Sequence, residues 1–399
     1  MASVIVVDNE LKDSVKEYGQ IIDGIQKSTE FSQSIAPFLT SAEITNKEEL
    51  LTKINAVSTS ETFKKFTDKE FEANFYLFIH IASELSSRDQ VLDNAESPVI
   101  KTLLEVNPSQ QPSLRDRKSI KSTTVLSILT IIFNLLPESS KTRIYIIDQI
   151  LNVASTSGIE FNLIQDNIGS NLISWLKKAG AQESEIRSVF WRFVTLDSKF
   201  TNESLQLIKT FTTEYQVGAE ELNQLVHFAL SSKIVDVSFL VNNNVAQALN
   251  QQTPVASLFK KYVHGEIVTA SEVPAELPAD FIVYKSKILN LAKYFADASL
   301  SPDHDAIVFK YSEIPNIQSS TEFEQLLLEA IKAGVVEGKL NQVEEVFYLS
   351  RVNRLIIAGE DNTKAWAAVR ETLQQWKNSL TNINDVVKAA RENIVNSGN

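Results

Sequence analysis

The segment SSTEFEQLLLEAIKAGVVEGKLNQVEEVFYLSRV, residues 319–352, decides the fold that we predict. Its first half predicts a helix, because serine and threonine stand at its start and Gly334 at its C-terminal end. Its second half predicts two strands joined by a turn at "LNQ". Shortly upstream, Ile307, Phe309 and Tyr311 alternate as in a short strand. A strand, a helix and a β-hairpin with a helix on either side predict a winged-helix module.

Downstream of the hairpin, AWAAVRETLQQWKNSLTNINDVVKAARENIV (residues 365–395) predicts a long helix with one apolar seam. The apolar residues are three and four positions apart in alternation, a period of about 3.5 that is typical of a coiled coil. The seam residues are Trp366, Val369, Leu373, Trp376, Leu380, Ile383, Val387, Ala390 and Ile394. Such a seam indicates that another helix covers it.

Upstream of the winged helix, the chain predicts helix after helix. Glycine and proline, which interrupt helices, number only 11 and 10 in 399 residues. One stripe with spacings of three and four indicates a core-facing side of a helical repeat rather than a ligand pocket. Its members are Phe71, Phe75, Phe78, Ala82 and Leu85. Three prolines in residues 94–118 predict a loop, and a helical hairpin broken at Pro137 and ended by Gly158 follows.

These patterns predict a mainly α fold, in which a helical-repeat (HEAT/TPR-like) superhelix precedes the winged helix and the long C-terminal helix. The predicted domains are an N-terminal helical-repeat region at 1–120 with the loop at 94–118, further helical repeats at 121–298, the winged helix at 299–362 and the terminal helix at 363–399.

The composition excludes several functional classes. Without cysteine the chain has no disulfides and no thiolate metal sites. A net charge of −12 disfavours a protein that coats nucleic acid or an anionic membrane. No phosphate-binding glycine loop, His-x-x-x-His pair or nucleophile motif occurs, so we expect no catalysis, cofactor or small-molecule substrate. Neither a signal peptide nor a membrane-spanning segment is evident, which favours the cytoplasm.

One basic cluster leaves an RNA-binding role open. Arg115, Arg117, Lys118 and Lys121 follow one another in and just after the proline-containing loop. They indicate either a solvated loop or a contact with RNA phosphates. The predicted wing is acidic instead, so we do not expect it to bind a duplex.

At the hairpin the sequence resembles a known family. EAIKAGVVEGKLNQVEEVFYLSRV (residues 329–352) is similar to the PCI domain that the proteasome lid, the signalosome and eukaryotic initiation factor 3 share. The family's G-K-[LI]-[DN]-Q turn is met by residues 338–342. WAAVRETLQQWKNSLTNI resembles the closing helix of the initiation factor 3 subunit m family, and KTRIYIIDQILNVASTSG resembles its mid-chain helix. Glu344 and Glu345 depart from the more basic second wing strand of that family.

The resemblance implies a non-catalytic scaffold subunit of initiation factor 3 that supports recruitment of mRNA and initiator tRNA to the small ribosomal subunit. It implies other PCI and MPN subunits as partners, and the small ribosomal subunit through the complex. The seam would enter a bundle of helices, and the winged-helix sheet would join a neighbour at its edge. The edge residues are Val336, Gly338, Lys339, Leu340, Asn341 and Gln342. The alternatives are a PCI subunit of the proteasome lid or signalosome, and an RNA-binding adaptor that uses residues 115–121.

Overall fold

The computed structural model describes residues 10–40, 44–110, 112, 116, 118–251, 253–299, 308–317, 319–357 and 363–397. Within these residues the chain forms nineteen α-helices and one three-stranded antiparallel sheet near the C-terminus. A long helix follows the sheet. The predicted fold class, the mainly α architecture of a PCI protein, is therefore confirmed. In the described part of the chain, no helix combines the length and the apolar character that a membrane span requires.

The chain divides into two compact units, the first of which ends at Ser198 and the second of which begins at Lys199. The predicted domain boundaries at 120, 298 and 362 follow sequence patterns rather than this division, and they remain predictions. The helices of the first unit are α1 (Leu11–Gln26), α2 (Glu30–Ile35), α3 (Lys47–Val57), α4 (Ser60–Phe63), α5 (Asp68–Leu85), α6 (Arg88–Leu92), α7 (Pro98–Val106), α8 (Ser122–Leu135), α9 (Thr142–Ser157), α10 (Phe161–Ile164), α11 (Leu172–Lys178) and α12 (Glu183–Thr195).

The core of the first unit forms around the aromatic stripe of α5. Phe71, Phe75 and Phe78 are fully buried, as the spacing predicts. Their rings surround Phe63 of α4, with centroid distances of 5.1 to 5.9 Å. At the start of the helix, the Glu70 side chain accepts from the Thr67 N–H at 3.0 Å and from the Thr67 hydroxyl at 2.7 Å.

The predicted loop at 94–118 is wrong in its first half, because α7 occupies Pro98–Val106. Pro98 stands at the first helical position, where its missing N–H has no intrahelical role and its fixed φ suits a helix. Ser97 caps the same end by accepting from the Val99 N–H. The helical hairpin that follows is confirmed: α8 ends before Pro137, and Gly158 ends α9 with a φ of 64°.

The second unit contains the remaining helices and the sheet. The helices are α13 (Asn202–Glu214), α14 (Ala219–Ser231), α15 (Asn243–Leu249), α16 (Pro254–Val263), α17 (Ala279–Ala298), α18 (Ser320–Lys332) and α19 (Thr363–Ser397). The strands are β1 (Val308–Lys310), β2 (Val336–Asn341) and β3 (Val346–Val352).

The winged helix packs its sheet against α17. The strand order is β1-β3-β2, so β3 is central and β2 is an edge strand. Phe309 of β1, Phe347 of β3 and Leu340 of β2 lie in one register row on the inner face. The rings of Phe309 and Phe347 contact Phe295 of α17, with centroids 4.8 and 5.2 Å away. This aromatic cluster fixes the sheet on the helical body.

The two ends of α18 match the prediction. The side chain of Ser319 accepts from the Glu322 N–H and caps the helix start. Gly334 follows the helix with a φ of 71°. The turn of the hairpin is displaced from its predicted position at "LNQ", because β2 continues to Asn341 and the turn occupies residues 342–345. The Asn341 side chain closes this turn by accepting from the Glu344 N–H at 3.3 Å.

A lysine lies in the core of the second unit. Lys285 of α17 is only 2% exposed. Its ammonium donates to the carbonyl oxygens of Ala229, Leu230 and Ser232, at 3.2, 3.3 and 2.8 Å. These carbonyls belong to the last turn and the end of α14, where intrahelical donors run out. Burial lowers the pKa of Lys285 from 10.5 to about 7.

Candidate protein interaction surfaces

The terminal helix α19 is the largest candidate surface. It runs for 35 residues, Thr363–Ser397, without glycine or proline, and spans about 52 Å at 1.5 Å per residue. From Arg370 to Arg391 every side chain is exposed. The helix therefore keeps its apolar seam open along at least five turns.

The seam exposes side chains that proteins ordinarily bury. Trp366, Trp376 and Leu380 expose 59, 65 and 66% of their surface. The other exposed seam residues are Leu373, Ile383, Val387 and Ala390. Val369 is half-buried, and the side chain of Ile394 lies outside the described residues. Burying a large apolar side chain is worth roughly 1.5–3 kcal/mol, so this seam favours association strongly.

The edge strand β2 is the second candidate surface. Of the predicted edge residues, Val336, Gly338 and Leu340 point to the inner face, where they are buried or half-buried. Lys339 and Asn341 alternate with them on the outer face, and Gln342 is exposed in the turn. What the edge offers a neighbouring strand is therefore its backbone, with the polar residues beside it.

The close packing around position 338 explains why glycine stands there in the wing motif. A Cβ there would lie 2.3 Å from Cζ of Phe347 and 2.4 Å from the carbonyl oxygen of Tyr348. The register also shifts between Glu337 and Gly338. Only a residue without a side chain lets the Phe347 ring lie across β2.

The outer face of the sheet carries an exposed apolar pair that the sequence reading did not single out. Val308 and Tyr348 are opposite each other in the register and expose 43 and 37% of their surface. Lys339 completes the same row on β2. The alternation of side chains along β3 could have predicted this exposure, because it places Tyr348 on the face opposite to Phe347.

The acids of α18 are engaged within the winged helix and its support. Glu322 pairs with Lys287 of α17 at 3.5 Å. Glu324 accepts from the Tyr311 hydroxyl at 3.2 Å and from the Gln342 amide at 2.8 Å. These carboxylates join α18 to the hairpin turn and to α17. Because they are anionic, this face of α18 is unsuited to binding the phosphates of a nucleic acid.

The basic cluster is only partly described. Arg115 and Arg117 lie outside the described residues. Lys118 is exposed, and its backbone N–H donates to Asp116 at 2.9 Å. Lys121 is half-buried just before α8, and its backbone N–H donates to Asp68 of α5 at 2.9 Å. An RNA contact through these four residues remains a prediction.

Comparison with known proteins finds relatives that align with nearly the whole chain. A protein of Aspergillus terreus (strain NIH 2624) named eukaryotic translation initiation factor 3 subunit M is 24% identical over 436 aligned residues, which cover 99% of this chain and 89% of the relative. The proteins of the same name from Emericella nidulans and Phaeosphaeria nodorum are 23 and 24% identical and cover 99 and 98% of this chain, and 91 and 90% of their own length. No protein-family model matches the chain.

The agreement among these relatives confirms the predicted resemblance to the subunit m family. The similarity includes the first hundred residues, for which the sequence patterns indicated only a helical architecture.

Proposed function

We propose that this chain is a non-catalytic subunit of a eukaryotic translation initiation factor 3 complex and that α19 holds it there. The exposed seam of α19 is the observation that carries the proposal, because a helix with two exposed tryptophans needs a cover that the described part of the chain does not supply. The name of the full-length relatives supports the choice of complex.

In this function the chain works as a scaffold in the cytoplasm. The seam joins helices of other PCI and MPN subunits, and the β2 edge extends a sheet of a neighbouring winged helix. Through the complex the chain reaches the small ribosomal subunit and supports the recruitment of mRNA and initiator tRNA. Obligate interfaces of this kind are large and apolar, which fits the seam.

Affinity capture of the full-length chain from cells that express it tests the proposal. We expect subunits of initiation factor 3 and proteins of the small ribosomal subunit. Recovery of proteasome-lid or signalosome subunits in their place would transfer the chain to another PCI complex.

A pair of matched variants tests the role of the seam. Trp376→Asp with Leu380→Asp places two charges in a surface that becomes desolvated, at a cost of several kcal/mol. Both residues are exposed in the chain itself, so the helical circular dichroism should be unchanged while the chain is lost from the complex. The control, Asn378→Asp with Asn382→Asp, adds the same charge at the same spacing on the opposite face and should be retained. Stoichiometric retention of the seam variant would contradict the proposal.

A further inference from the structure

The two flanks of the α19 seam carry different charges. With Trp366 at heptad position a, the e positions hold Arg370, Lys377, Asn384 and Arg391. The g positions hold Thr372, Ser379, Val386 and Asn393. One flank therefore carries three cations and no acid, and the other flank carries no charge.

The flank cations are not neutralised along their own helix. Carboxylates three or four positions away usually serve this purpose on a helix surface. None stands at these distances from Arg370, Lys377 or Arg391. All three are exposed, and within the described residues no carboxylate pairs with them. On the opposite side of the helix, Asp385 and Lys388 do have the spacing of such a pair.

In two-stranded packing, a second copy of α19 would gain no opposite charges at these flanks. In a parallel pair the e positions of one helix face the g positions of the other, so cations would face neutral residues. In an antiparallel pair e faces e, so cations would face cations. In neither arrangement do the flank cations face residues of opposite charge.

We propose that the seam binds a helix of a different chain whose facing flank is acidic. This inference rests on the proposed function, because it names the chemistry of the partner that covers the same seam. Opposite charges beside the seam fix the choice of partner, while the apolar residues supply the affinity.

Three synthetic helical peptides serve as probes for the full-length chain. All share the seam and the length of α19; one has Glu at every e and g position, one has Lys there, and one keeps the native sequence. We expect fluorescence anisotropy at low ionic strength to show the Glu peptide binding on the order of tenfold or more tighter than the Lys peptide. The preference should shrink as salt is added, because the pairs are exposed at the flank. Equal binding of the Glu and Lys peptides, or tighter binding of the native peptide, would overturn the inference.

Charge reversal of the chain provides the matched test. The variant Arg370→Glu, Lys377→Glu and Arg391→Glu should prefer the Lys peptide. The control adds three acids to the opposite face, as Gln375→Glu, Asn378→Glu and Asn382→Glu, none of them three or four positions from a flank cation, and should keep the preference for the Glu peptide. A reversed variant that still prefers the Glu peptide would refute the flank assignment.

The capture experiment separates this inference from the proposed function. If the reversed variant co-purifies normally with initiation factor subunits while the seam variant is lost, the acidic partner is refuted and the proposed function stands. If the seam variant is retained as well, α19 is not the attachment site and both fail.

Discussion

Replacement of the buried Lys285 should change how the stability of the second unit depends on pH. In the unfolded chain this amine has its ordinary pKa of 10.5, whereas burial lowers the pKa in the folded chain to about 7. Between these values the unfolded state binds more protons than the folded state, so the free energy of unfolding rises with pH. Below pH 7 the amine is protonated in both states, so the gain in the free energy of unfolding is lost. One pKa unit corresponds to about 1.4 kcal/mol, and allowing for half-protonation at pH 7, the rise between pH 7 and pH 9 is about 2 kcal/mol.

The variant Lys285→Met isolates this effect, because the two chains share every other titrating group. The wild-type chain should gain about 2 kcal/mol over the variant between pH 7 and pH 9. Since the chain has no cysteine, Ala292→Cys in both proteins gives a single buried thiol in α17. Its alkylation in urea reports the unfolding of the second unit alone.

Lys260→Met is the matched control, because Lys260 is exposed on α16 in the same unit. This variant should unfold like the wild-type chain at each pH. A constant difference between wild type and Lys285→Met from pH 7 to pH 9 would refute the reasoning. It would show that the three carbonyl oxygens, which favour the ammonium, outweigh the burial of the charge.

Three further predictions concern the wing and the basic cluster. Gly338→Ala should lower the free energy of unfolding by about 1–3 kcal/mol in thermal or urea unfolding, because its Cβ would overlap Phe347 and the backbone of β3; Gly24→Ala, where the added Cβ meets nothing within 4 Å, is the control and should be neutral or stabilising. Lys339→Cys, carrying a photoreactive cross-linker, should form a covalent product with a neighbouring subunit in the purified complex, whereas Glu220→Cys on the exposed side of α14 should not. The combined alanine replacement of the basic cluster should not affect capture of the complex. If the cluster binds single-stranded RNA, each lost phosphate contact should change the slope of log affinity against log salt concentration by about 0.7. RNA binding that persists in this variant would remove the RNA alternative. The replaced residues are Arg115, Arg117, Lys118 and Lys121.

Periodicity predicted most of the fold, because burial imposes it directly on the sequence. The stripe of α5 and the ends of α18 depend on local rules: which side of a helix faces the core, and which residues cap it. The spacing of apolar residues likewise predicted the seam of α19. The spacing predicts that a helix covers the seam, but it does not show whether that helix belongs to the same chain. The structure shows that the described part of this chain leaves the seam exposed.

The features that the sequence could not supply depend on contacts between distant residues. Lys285 shares a spacing of three and four with Ile282 and Leu289, which indicates the buried face of α17. The sequence cannot show that the end of α14 brings three carbonyl oxygens to this amine. Likewise, the turn of the wing lacks an Asn-Gly or Asp-Gly pair, so its position follows from the Asn341 side chain and the register with β3.

The two candidate surfaces are close enough along the chain to act as one binding unit. After β3 the Asn353 N–H donates to the Val335 carbonyl at 2.9 Å, and Ile357 is buried. From Ile357 to the start of α19 at Thr363 the chain can span at most about 21 Å. If one partner binds both the β2 edge and the seam, its contact with the edge should raise the effective concentration of its helix near the seam. Because a six-residue edge alone is a weak attachment, loss of the seam should release both surfaces together, whereas a damaged edge should weaken the complex without abolishing it.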